Sequence, residues 1–80
     1  MRYSVLLEPI AEADFDGFYY AHIPVLDLTT HGRGIEGALH AAQDLVEAWV
    51  TEKRDHGESV PVESRALITH IEIPDALLSA

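Results

Sequence analysis

Five histidines and fourteen acidic residues are the side chains of this 80-residue chain with the most obvious capacity for chemistry. His22, His31, His40, His56 and His70 invite a transition-metal site, which needs three or four donors converging on one point. Their spacing does not bring them together: no H-x-x-x-H pair falls on a helical stretch and no H-x-H on an extended one. His22 and His70 both fall mid-strand and would meet only if their strands were neighbours. The expectation is a set of separate, solvated or edge histidines and no metal centre. Asp14, Asp16 and Asp27 suggest a Mg²⁺ cluster of the kind metal-dependent nucleases use. Such a site draws carboxylates from several strands, whereas loop acids are ordinarily just hydrated.

Nucleophilic chemistry finds less support. Cysteine is absent, which removes thiol nucleophiles, thiolate zinc sites, iron–sulfur clusters and disulfide staples together. Ser4, Ser59, Ser64 and Ser79 lie outside any G-x-S-x-G elbow. Gly32-Arg33-Gly34 has half the look of a phosphate cradle but lacks the third glycine and the Lys-Ser/Thr of a P-loop. Its glycines suit a tight strand-to-helix turn instead. Neither a catalytic residue nor a cofactor is expected. The formal charge of −9 argues against DNA or RNA as a direct partner, because phosphate recognition needs clustered Lys and Arg and the chain has only five. At 48% apolar residues the composition is that of a folded domain rather than an acidic tail. With no apolar run near the roughly 18 residues of a membrane span and no signal-peptide core, a cytoplasmic location is expected.

The elements that must position these groups follow from periodicity. Residues 2–8 (RYSVLLE) place Tyr3, Val5 and Leu7 on one face of a strand. An acidic connection follows, carrying Glu12, Asp14 and Asp16 and ending in the turn pair Asp16-Gly17. Residues 17–23 form a second strand with Phe18, Tyr20 and His22 on one face and Tyr19, Ala21 and Ile23 on the other. A third extended piece covers residues 25–31. The helix is the clearest element: Ile35, Ala38, Leu39, Ala42, Leu45, Val46, Trp49 and Val50 make one stripe at the 3.6-residue period. Gly57 is placed to stop it in the left-handed conformation. Residues 66–73 (ALITHIEI) alternate like a fourth strand, with Leu67, Thr69, Ile71 and Ile73 on one face. The reading is a single α+β domain over residues 1–80. It has an antiparallel sheet of three to four strands, one long helix on one face, and the order β-β-β-α-β. One helix covers one face of a sheet, and both strand faces carry apolar residues, so the uncovered face is expected to meet protein.

The succession of these pieces resembles the N-terminal domain of the HicB-like antitoxin family over residues 1–62. It is carried by Tyr3, Val5, Leu7 and Glu8, by the acidic loop at residues 14–17 and by the Gly-aromatic strand closing at Pro24. Gly32, the helix pattern Glu36, Ala38, Leu39, Ala42, Val46, Trp49, and the exit Gly57, Glu58, Val60, Pro61 complete it. The resemblance implies a partial ribonuclease-H-like fold without the catalytic carboxylates, a homo-oligomer (dimer or tetramer), and sequestration of a small basic HicA-type ribonuclease toxin. Two features depart from the family. The usual proline–glycine turn is reduced to Pro24-Val25-Leu26-Asp27, and the sequence to Ala80 leaves no room for a DNA-reading domain, so operator binding is not expected.

Charge supports the same kind of partner, since an acidic surface steers a basic protein toward it. Glu8, Glu12, Asp14 and Asp16 are the expected partner-binding residues, and Phe18, Tyr20 and His22 the expected oligomer interface. The competing reading is a homo-oligomeric small-molecule or metal-binding domain using the open sheet face.

Overall fold

A computed structural model describes residues 1–77. Strands β1 (Leu6–Pro9), β2 (Phe18–Ile23) and β3 (Leu28–Arg33) are followed by helix α1 (Gly34–Asp55), with single 3₁₀ turns at Ala13–Phe15, Pro24–Leu26 and Asp75–Leu77. The sheet is antiparallel in the order β1-β2-β3. Register places Leu7 and Thr30 opposite Ala21, and Glu8 and His31 opposite Tyr20. Alternation therefore sends Leu7, Tyr19, Ala21, Ile23, Leu28 and Thr30 to one face and Leu6, Glu8, Phe18, Tyr20, His22, Thr29 and His31 to the other.

Helix α1 packs across β2 and β3 on the first of these faces. Its contact residues are small where the approach is closest: Ala38 and Ala42 are buried against Ala21, Ile23 and Leu26, with Val46 and Trp49 packed around them. The expected stripe is thus real but unevenly used. Ile35 and Leu39, on its flank, remain 51% and 42% exposed. The helix ends as its sequence suggests. Gly57 adopts φ +68° and its N–H reaches the Arg54 carbonyl at 3.0 Å, while Lys53 pairs with Glu58 at 2.8 Å.

Three elements differ from the sequence reading. β1 begins at Leu6 rather than Arg2 and keeps Pro9, which pairs with Tyr19 as the last position of an edge strand. β3 begins at Leu28 rather than Val25, because Pro24 opens a 3₁₀ turn and Asp27 takes a left-handed φ of 54°. The fourth strand is absent: among the described residues the sheet has three strands, and the order is β-β-β-α. Residues 66–73 find no ladder partner in their own chain. Leu67 is 93% and Ile71 83% exposed. The projecting segment explains a radius of gyration of 16.0 Å, against roughly 12 Å for a compact chain of this length.

The tail is tethered where it passes the N-terminus. The Tyr3 hydroxyl donates to the Pro61 carbonyl at 2.7 Å; the Ser4 N–H and hydroxyl donate to the two carboxylate oxygens of Glu63 at 2.9 and 2.5 Å. The Ser4 hydroxyl first, and its N–H second, hold the Glu63 carboxyl below its ordinary pKa. A carboxyl whose folded pKa is depressed favours the fold above its unfolded pKa, and that contribution is lost as pH falls through the folded value. The tether is therefore expected to release on acidification below the ordinary glutamate range. In an NMR titration the Ser4 amide should follow the Glu63 midpoint, and Glu63→Gln should abolish that response.

Candidate protein-binding face

The face of the sheet opposite α1 gathers most of the polar and aromatic groups singled out by the sequence. Its geometry is set by register. Leu6 lies opposite His22 and Glu8 opposite Tyr20, which puts Glu8 diagonal to His22 on the same face. The Glu8 carboxylate reaches His22 Nε2 at 2.5 Å, and the other ring nitrogen, Nδ1, lies 3.0 Å from the Thr29 hydroxyl on β3. Carboxylate on one side and hydroxyl on the other fix the imidazole plane across all three strands. The Tyr20 ring lies 5.8 Å from that of His22, and Tyr20 is 37% exposed.

The second half of the face is built around Phe18. The guanidinium of Arg33, its cross-strand neighbour, sits 5.0 Å over the ring. Phe15 folds in from the acidic loop, edge-on to Phe18 at 5.7 Å and to His31 at 6.3 Å. The loop is anchored at both ends: the Ile10 N–H donates to the Phe18 carbonyl at 3.0 Å, and the Gly34 N–H at the head of α1 donates to the Gly17 carbonyl at 2.7 Å. Asp14 and Asp16 flank Phe15 in sequence and are exposed, as is Glu12. The loop thus carries its exposed acids beside the one ring, Phe15, that it contributes to the face.

The sequence reading treats Glu8, Glu12, Asp14 and Asp16 as one group and Phe18, Tyr20 and His22 as another. The structure brings Glu8 directly into the second group and hangs the other three acids on a loop whose phenylalanine joins it. Phe15, Thr29, His31 and Arg33 belong to the same surface. Alternation along β3 sets Thr29 and His31 on one face of the strand, and the β2–β3 register says which face of β2 they share. His70, which would meet His22 only on a neighbouring strand, lies on the exposed segment without a ladder partner among the described residues, so that condition is not met. Among the described residues no three His, Cys, Asp or Glu side chains converge on a point that could hold a metal ion.

A second concavity lies on the helix side. A groove of about 680 Å³ runs between the N-terminal segment, with Met1, Tyr3 and Val5, and the helix flank of Leu39, Gln43, Val46 and Val50. Its walls are largely aliphatic and carry no convergent set of acid–base groups.

No protein-family model matches this chain, and neither the curated proteins nor the solved structures yield a match. Among the described residues no helix is long and apolar enough to cross a membrane.

Proposed function

We propose that this chain is a cytoplasmic protein-binding module that sequesters a small basic partner on the open face of its sheet. The part is one the HicB-like resemblance gives to an antitoxin facing a HicA-type ribonuclease, on a partial ribonuclease-H-like fold. The observation that carries the reading is the composition of that face: exposed Tyr20 and Phe15 and the half-buried Phe18 and His22, with Glu8 among them and the exposed acids Glu12, Asp14 and Asp16 on the loop that carries Phe15. Aromatic anchors with a polar rim are how protein interfaces concentrate binding energy. In a chain of charge −9, an acidic surface draws in cationic proteins and repels nucleic acid. The module does no chemistry of its own in this reading. It blocks its partner by occupying the cationic surface with which a ribonuclease holds RNA.

The test is co-expression with a small basic ribonuclease of the HicA type, scored by relief of growth arrest and by co-purification. Continued arrest with no complex rejects the proposal. Within a complex, reversing Asp14 and Asp16 to lysine is expected to slow association by about tenfold at low salt and to flatten its dependence on ionic strength. Stopped-flow measurements across a salt series check this. Unchanged rates and an unchanged salt slope would mean that the loop serves solubility alone.

A further inference from the structure

The segment 66–73 is a strand without a sheet. A period of two puts Leu67, Thr69, Ile71 and Ile73 on one side and Ile68, His70 and Glu72 on the other, a more apolar and a more polar face as an edge strand on a core carries them. In its own chain it is largely uncovered: Leu67, Ile68, Ile71 and Ile73 are 93%, 73%, 83% and 49% exposed. A run of large aliphatic side chains this exposed is a marker of an interface.

The same structure holds a vacancy of matching kind. β1 is an edge strand with one side unpaired. Helix α1 packs over β2 and β3, leaving its flank of Leu39, Val46 and Val50 overhanging the β1 side. The groove between that flank and Tyr3 and Val5 lies just N-terminal to β1, within reach of the apolar side chains of a strand laid along that edge. The chain's own segment does not fill it, since Leu67, Ile68 and Ile71 stay exposed. The Tyr3–Pro61 and Ser4–Glu63 hydrogen bonds hold the tail just before β1, and beyond them it runs on exposed in a molecule 51 Å long.

We propose that residues 66–73 pair with the free β1 edge of a second copy of this chain, which returns its own segment to the first, giving a two-fold strand-exchanged dimer. Each segment leaves its subunit beside that subunit's own β1, so two β1 edges facing one another are the shortest reciprocal reach. A two-fold arrangement also closes, whereas one-way donation would propagate. Eight residues at about 3.3 Å each span roughly 26 Å, more than the length of β1. Charge permits the approach. Of the fourteen acids in the chain, only Glu72 lies within 66–73, so the segment meets the partner with little repulsion. Backbone pairing supplies the ladder bonds and the groove takes alternate side chains, as in other strand-addition complexes. The exchange makes no use of the open face and stands or falls separately from the antitoxin reading.

The experiment uses the full chain and its Thr69→Pro variant. Thr69 is exposed and lies outside every helix and strand, so proline there leaves the subunit fold intact, which far-UV circular dichroism verifies. Sedimentation equilibrium is expected to give twice the 8.8 kDa chain mass for the natural sequence. For Thr69→Pro the dissociation constant should rise at least about a hundredfold, since proline removes a ladder donor and clashes in the strand. Amides of residues 67–73 should be protected from hydrogen exchange in the dimer and exposed in the variant. A natural chain that stays monomeric at millimolar concentration overturns the proposal. So does a dimer that survives Thr69→Pro, a monomer whose 67–73 amides are protected, or a species that keeps growing with concentration.

Discussion

Gly32→Ala is expected to cost about 3 kcal/mol, the upper part of the range for overpacking a well-filled site, and to lower the melting midpoint by on the order of 15 °C. The reason is a backbone-on-backbone contact. A Cβ on Gly32 would lie 2.4 Å from both the carbonyl carbon and the carbonyl oxygen of Gly37, and 2.6 Å from the Ala38 nitrogen. None of these atoms belongs to a flexible side chain. β3 runs straight into α1 with no residue between Arg33 and Gly34, so the helix can yield only by tilting off the sheet. The opposite substitution supplies the control. A Cβ on Gly37 meets its nearest neighbour at 3.5 Å, an ordinary contact. Gly37→Ala removes a glycine from a helix and is expected to stabilise by roughly 0.5–1 kcal/mol. Thermal melts of the two variants, one methyl group each on either side of one contact, should move in opposite directions.

Ile23→Ala is expected to cost about 2–5 kcal/mol in chemical denaturation. Ile23 is fully enclosed and is the largest side chain so placed, in a core otherwise built from Ala21, Leu26, Ala38 and Ala42. Alanine already fills the positions where helix and sheet approach most closely, so the cavity left by the isoleucine has small, rigid neighbours that cannot collapse into it. Ile35→Ala removes the same atoms from a position on the helix stripe that is half exposed. Its effect should stay within about 0.5 kcal/mol. If the two isoleucines cost the same, burial would not be what distinguishes them.

These two contrasts mark where the sequence is informative. The helix is legible from Ile35 to Asp55 because its repeat is long and Gly57 supplies a stop. The two faces of β2 are legible because alternation leaves no choice once a strand is granted. What the sequence leaves open is which residues meet between elements. The Glu8–His22–Thr29 arrangement depends on two registers, that of β1–β2 across the loop from Ile10 to Gly17 and that of β2–β3 across the turn from Pro24 to Asp27, and no local pattern encodes it. The start of β3 is ambiguous because Pro24 can close one strand or open a 3₁₀ turn, and the left-handed Asp27 selects the second. The stripe of α1 looks uniform from Ile35 to Val50, yet only the side over β2 and β3 is buried. The fourth strand is the clearest case: a period of two describes a segment fit for a ladder but not the presence of a ladder to join. The candidate site follows the same division, with its residue types visible in the sequence and their assembly into one surface visible only in the fold.

The chain contains a single tryptophan, and it sits on the helix side, against the core and with the Lys53 ammonium 5.3 Å from its ring. The tyrosine most open to a visitor, Tyr20, lies across the sheet from it. The molecule's fluorescence is thereby divided by its own architecture: the indole answers to whether helix and sheet are docked, and is shielded by a layer of β structure from whatever settles on the far side.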